Sequence, residues 1–138
     1  MKKLLARPIT WLVAVLTAAA AGTVAVVASQ SVSERGPLVT VSVQDMAAGL
    51  AEGALVLDVR EPFEYADAHV EGTVLVPLAT VAARAGEFPK DEPVFVFCRS
   101  GNRSLVAAQA LVDAGVVDVR NVDGGIIAWH GAGLPLVR

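Results

Sequence analysis

Along the chain, short apolar runs alternate with stretches of helical period. Leu38-Val39-Thr40-Val41 has the pattern of a strand, and Val43 to Ala51 that of a helix closed by Gly53. Ala54-Leu55-Val56-Leu57-Asp58-Val59 is continuously apolar except for one acid near its end, which suits a strand buried on both faces of a parallel sheet. Pro62 to Ala68 reads as a short helix with proline in its first turn, Thr73 to Val76 as a strand ended by Pro77, and Leu78 to Ala85 as a helix. Pro93-Val94-Phe95-Val96-Phe97 is the strongest strand signal. The periodicity then predicts a helix over Asn102–Ala114, with Leu105, Ala108, Leu111 and Val112 inward and Gly115 as its stop. Val117 to Val122 predicts a last strand, and Gly124 to His130 a last helix carrying Trp129 into the core. This alternation implies an α/β domain of three layers over residues 38–138.

The segment ahead of that domain has a different pattern. Pro8 to Ser33 is 26 residues without a charge, and it follows Lys2, Lys3 and Arg7. Its apolar part, Ile9 to Ala28, is 20 residues long, about the length a helix needs to cross a bilayer. Two readings of residues 1–28 follow: a signal peptide cleaved after a small-residue site, or an uncleaved signal-anchor helix that meets the membrane through residues 9–28. The full apolar length favours the anchor. Either way the cationic end stays cytoplasmic and the rest lies on the extracytoplasmic side, periplasmic or extracellular, with residues 29–37 as a polar linker.

Charge and composition narrow the function. Of the net charge of -3, the first 33 residues contribute +3 and the remaining 105 contribute -6. An acidic body with 5% aromatic residues offers no cationic surface or stacking platform for nucleic acid. Cys98 is the only cysteine, so neither a disulfide framework nor a cysteine-based metal site can form within the chain.

Two predicted strands end in reactive sequence, where parallel sheets gather their ligands: Asp58-Val59-Arg60-Glu61, and Cys98-Arg99-Ser100-Gly101-Asn102-Arg103-Ser104. A cysteine between a strand end and a helix start meets unpaired backbone N–H groups and the positive helix terminus, both of which favour a thiolate. Arg99 and Arg103 add positive charge, and Gly101 lets the backbone approach without a Cβ. An inert core thiol needs none of these neighbours. Around this loop, His69 reads as a turn residue rather than a base, His130 as exposed, and Glu61 to Tyr65 as a solvated helix face with Phe63 or Tyr65 turned inward.

From about Leu38 to Leu136 the chain resembles the rhodanese domain. The resemblance rests on Asp58-Val59-Arg60-Glu61, His69-Val70-Glu71-Gly72-Thr73, the stretch Cys98 to Ser104, and Asp123-Gly124-Gly125-Ile126-Ile127-Ala128-Trp129, in that order. It implies a parallel five-stranded sheet with helices on both faces, and a sulfurtransferase of the thiosulfate type (EC 2.8.1) in which Cys98 carries a sulfane sulfur as a persulfide. The implied donor is thiosulfate or a persulfide, and the acceptor a thiol or cyanide. Arg99, Ser100, Gly101, Asn102 and Arg103 would bind the sulfur, with Arg60 near the loop and Asp58 in support; a loop-bracing pair is the other reading of Arg60 and Asp58. No metal or organic cofactor is implied. The six-residue loop Cys98–Arg103 is the length found in sulfur-transferring members, while related phosphatases and arsenate reductases use one residue more. A thiol-based sensing or binding module without turnover is the alternative function.

Overall fold

The computed structural model describes residues 37–138. The signal or anchor reading of residues 1–28, and nearly all of the linker, lie outside the described residues. Among the described residues no helix is long and apolar enough to cross a membrane.

Eleven elements follow in order: β1 (Leu38–Val41), α1 (Val43–Ala51), β2 (Leu55–Asp58), α2 (Pro62–Asp67), β3 (Val74–Leu75), α3 (Leu78–Arg84), a 3-10 turn (Ala85–Glu87), β4 (Val94–Phe97), α4 (Asn102–Asp113), β5 (Val119–Val122) and α5 (Gly125–Gly131). The sheet has the order β1-β5-β4-β2-β3, and every pair in it is parallel. The three-layer α/β architecture expected from the sequence is therefore present, with a five-stranded parallel sheet between helices.

Central β4 shows why its sequence is apolar throughout. Successive side chains of a strand point to opposite faces, and here each face meets a helical layer. Val94, Val96 and Cys98 join the core beneath α3 and α4, together with Leu57, Ala107, Ala108 and Leu111. Phe95 and Phe97 join the opposite core with Met46, Val56, Val122 and Trp129. Cys98 thus continues the alternation of β4 onto the α4 side. Short helices are pinned at their starts: Asp45 N–H donates to Ser42 Oγ at 3.1 Å, and Ser42 N–H donates to Asp45 Oδ2 at 2.9 Å.

The inner face of α4 differs from its sequence reading. Its buried residues are Ser104, Ala107, Ala108 and Leu111, whereas Leu105 is 47% exposed. The loop before α4 sets the rotational phase of the helix by turning Ser104 toward the sulfur, which carries Leu105 one helical step (about 100°) away from the core.

Phe97 is fully buried and meets Trp129 edge-on, with ring centroids 6.3 Å apart. Phe97→Ala is expected to cost about 3–5 kcal/mol in chemical denaturation, the range for emptying a packed aromatic site. A loss below about 1 kcal/mol would show that the surrounding core collapses into the space.

Candidate active site

The stretch after β4 is a cradle built from its own backbone. Gly101 stands at the N-cap of α4 with φ 98°, a left-handed conformation that bends the chain back over the cysteine. Gly101 N–H thereby donates to Cys98 Sγ at 3.0 Å, and Ser104 Oγ lies 3.3 Å from the same sulfur. Cys98 is fully buried, while Arg99, Ser100 and Asn102 are exposed on the outside of the loop. Burial pushes the Cys98 thiol up, but hydrogen bonds from the Ser104 hydroxyl and the backbone N–H groups of Ser104, Gly101 and Ser100 outweigh it. The net effect holds the thiol below its ordinary value of 9.0. These donors favour the thiolate relative to a buried thiol without them, although the residue has no exposed surface.

A second backbone fixes the loop from behind. Ile126 N–H donates to the Cys98 carbonyl at 2.9 Å and Ile127 N–H to the Arg99 carbonyl at 3.2 Å, so the start of α5 holds the start of the loop. Gly125 makes this approach possible, since a Cβ there would collide with the carbonyl groups of Cys98 and Arg99. The Asp123-Gly124-Gly125 sequence is thus explained by contact with the cysteine loop.

The two loop arginines have different surroundings. Arg103 forms a two-pronged pair with Glu64 of α2, Nη1 to Oε2 at 2.7 Å and Nη2 to Oε1 at 2.9 Å. Glu64 also accepts from Glu61 N–H at 2.9 Å, so one carboxylate caps α2 and anchors the loop's far end. The Arg103 guanidinium beside it holds Glu64 down at about 2. Arg99 is exposed and lines a cavity of about 550 Å³ together with Phe63, Ile126, Ile127, His130 and Leu136. Arg60 reaches that cavity too, but its guanidinium is spent on Asp58 (Nη2 to Oδ2 at 2.7 Å) and on the carbonyls of Glu64 and Ala68. Arg60 and Asp58 form a buried pair that braces α2, so Arg60 has little left to bind a substrate.

The expectation of a solvated face from Glu61 to Tyr65 fails at Glu64, which is half-buried against Arg103. Phe63 is 74% exposed and not turned inward. Tyr65 is the inward ring: its hydroxyl donates to the Thr73 carbonyl at 2.8 Å, and it stacks on His69. His69 is a turn residue as read, with its ring against Tyr65 and its backbone paired to Val137. His130 is exposed. The sequence reading gave Glu64 no role beyond a solvated face and did not single out Asn121. The acid at the third position of a proline-started helix was a capping signal, but nothing in the spacing tied it to Arg103, 39 residues on. Among the described residues no group of three His, Cys, Asp or Glu side chains is placed to hold a metal ion.

The Glu64–Arg103 pair gives acid stability a definite window. Glu64 is lowered in the fold from 4.5 to about 2, so its contribution is complete above pH 4.5 and lost as pH falls toward 2. Glu64→Gln is expected to remove on the order of 2 kcal/mol at neutral pH and little at pH 2. Denaturant unfolding at pH 7, 4 and 2 checks this, and equal losses at all three would contradict it. Gly125→Ala should separate the loop from α5, lowering the thermal midpoint and raising the pH at which Cys98 alkylates.

A sequence model of the rhodanese-like domain matches residues 42–132. A sulfurtransferase of Allochromatium vinosum is 41% identical over 86 residues, covering 62% of this chain and 80% of that protein. Among solved structures, a rhodanese-related protein of Thermoplasma volcanium aligns with TM-score 0.64 at 31% identity, over 71% of this chain and 96% of that one. The rhodanese-like domain of an Anabaena protein aligns with TM-score 0.65 at 25% identity, over 71% of this chain and 77% of its own. With its sheet order, its glycine-bent cysteine loop and these likenesses, the chain belongs to the rhodanese-like domain family.

Proposed function

We propose that the protein is a sulfurtransferase that moves a sulfane sulfur from thiosulfate or a persulfide donor to a thiol or cyanide, through a persulfide on Cys98. The observation that carries this reading is the Cys98 cradle: a thiol held below its ordinary value by N–H and O–H donors, in a loop of six residues. The sulfurtransferase relative and the family match support sulfur transfer as the class of reaction.

In the first half-reaction the Cys98 thiolate attacks the outer sulfur of thiosulfate. A bond forms between Sγ and that sulfur, the S–S bond of thiosulfate breaks, and sulfite leaves with the bonding electron pair. In the second, the acceptor attacks the outer sulfur and the Cys98 thiolate leaves, restoring the enzyme. The loop N–H groups stabilise the negative charge on sulfur throughout, with no reorganisation at the moment of reaction. The exposed Arg99 draws anionic donors to the loop, and Arg103, tied to Glu64, keeps the loop in shape. The uncharged stretch 9–28 supports a location at the membrane with the domain on the extracytoplasmic side.

Intact-mass measurement after thiosulfate should show the gain of one sulfur atom, absent in Cys98→Ala, and cyanide should remove it with turnover. Loading without turnover on cyanide or any thiol would mark a sensing module instead. No gain of sulfur would refute the persulfide.

The arginines should separate in kinetics. Arg103→Ala is expected to lower kcat/KM for thiosulfate on the order of 10²-fold at any salt, as a misplaced reacting group does. Arg103→Lys should fall between, keeping the charge without the fork. Arg99→Ala should show a smaller loss that fades as salt screens it. Equal, salt-sensitive losses for Arg99→Ala and Arg103→Ala would remove the bracing role from Arg103.

A further inference from the structure

Asn121 is a buried polar side chain on the face of β5 that it shares with Val119. It is 5% exposed and sits on β5 between Val119 and Val122, which belong to opposite cores. Strand alternation turns it, with Val119, toward α4, and its register partner on β4 is Val96, two residues before Cys98. Its Oδ1 stands 2.6 Å from Ser104 Oγ. The same Oγ lies 3.3 Å from Cys98 Sγ and 3.1 Å from the Gly101 carbonyl oxygen. Three buried partners therefore share one hydroxyl, and the sulfur chemistry above makes no use of Asn121.

A serine hydroxyl has one proton to give and two lone pairs to receive with, and the Gly101 carbonyl can only accept. When Cys98 is a thiol, the chain can run away from sulfur: S–H donates to Ser104 Oγ, and the Ser104 hydroxyl donates to Asn121 Oδ1. When Cys98 is a thiolate, sulfur only accepts, and the Ser104 proton must turn to it. Oγ then faces two acceptors with no donor unless Asn121 presents its NH2 group. An amide does this by half a turn about its last bond, since its oxygen and NH2 have nearly the same shape.

We infer that Asn121 is a positioning residue for Cys98: by offering its oxygen opposite the thiol and its NH2 opposite the thiolate, it lets the Ser104 hydroxyl follow the charge on sulfur. This rests on the reading of Cys98 as the working nucleophile. The role calls for an amide, because a carboxylate would hold the hydroxyl permanently and an alkyl group would leave Oγ without a donor. The charged groups packed around the loop are Arg103 with Glu64 from α2, Asp58 with Arg60 from the end of β2, and Arg99 on the outside of the loop. The first four are paired with one another, and Arg99 is exposed.

The test follows the alkylation rate of Cys98 by iodoacetamide against pH in the 138-residue chain, with no sulfur donor present. Ser104→Ala is expected to raise the midpoint. Asn121→Asp should raise it by about one unit, an alkylation about tenfold slower below both midpoints, and Asn121→Leu by less. In the Ser104→Ala background both Asn121 substitutions should shift the midpoint far less than in the wild type, because the hydroxyl they act through is gone. An unchanged midpoint in Asn121→Leu, or an equal increment from Asn121→Asp with and without Ser104, would overturn the inference and leave only packing or a through-space charge. If circular dichroism shows that Asn121→Asp does not fold, Asn121→Leu with and without Ser104 decides. Failure of the wild type to take sulfur from thiosulfate would remove the transferase reading, while the midpoints would still decide the role of Asn121.

Discussion

The turn between β5 and α5 meets the cysteine loop through backbone alone, and the geometry of the sulfur site descends from that contact. With hydrogen at Gly125 in place of a side chain, the N–H groups of Ile126 and Ile127 reach the carbonyls of Cys98 and Arg99. Those two carbonyls are directed backward, and the loop's own N–H groups are left free to face the other way. Gly101 completes the bend, so that an N–H and not a carbonyl looks at Sγ. A concave array of N–H groups is an anion receptor made without any charged residue, and it keeps its polarity in a dry interior where a mobile side chain would collapse onto its nearest partner.

Around that receptor the ionic groups are arranged so that little net charge touches the sulfur. Glu64 neutralises Arg103, and Asp58 neutralises Arg60. Each pair also ties a loop to α2: Arg103 from the far end of the cradle, Arg60 through the carbonyls of Glu64 and Ala68. Helix α2 buries no residue completely, so these polar ties, together with the half-buried Tyr65 ring stacked on His69, hold it in place. Its position in turn sets the cavity wall on which Phe63 is displayed.

Much of the architecture could be read directly because β2 and β4 lie inside the sheet and are buried on both sides, which leaves continuous apolar runs in the sequence. The bounds of β1 and α1 match their sequence reading to the residue. Cys98 and its glycine were legible because their chemistry is local: six residues contain the nucleophile, the bend and the helix start. Leu105 was misplaced because helical periodicity fixes spacing and not phase, and the phase of α4 is set by Ser104 at the sulfur. Glu64 was illegible because its partner comes from another part of the chain. Asn121 is an intermediate case. Alternation along Val119 to Val122 already assigns it to the same face as Val119, and a lone amide on a buried face is a signal that periodicity alone passes over.

The complete burial of Cys98 limits which molecules can react with it at all. A disulfide between two copies of the chain would need their Cβ atoms about 3.8 Å apart, and the loop over the sulfur occupies that space. A sulfur with no exposed surface is reached by any reagent, iodoacetamide included, only as the loop moves aside, and least readily by a cysteine held in another folded protein. A sulfur added to Sγ would stand one S–S bond, about 2 Å, beyond it. Loading would in that way bring within reach of larger nucleophiles a position that the unloaded side chain keeps from them.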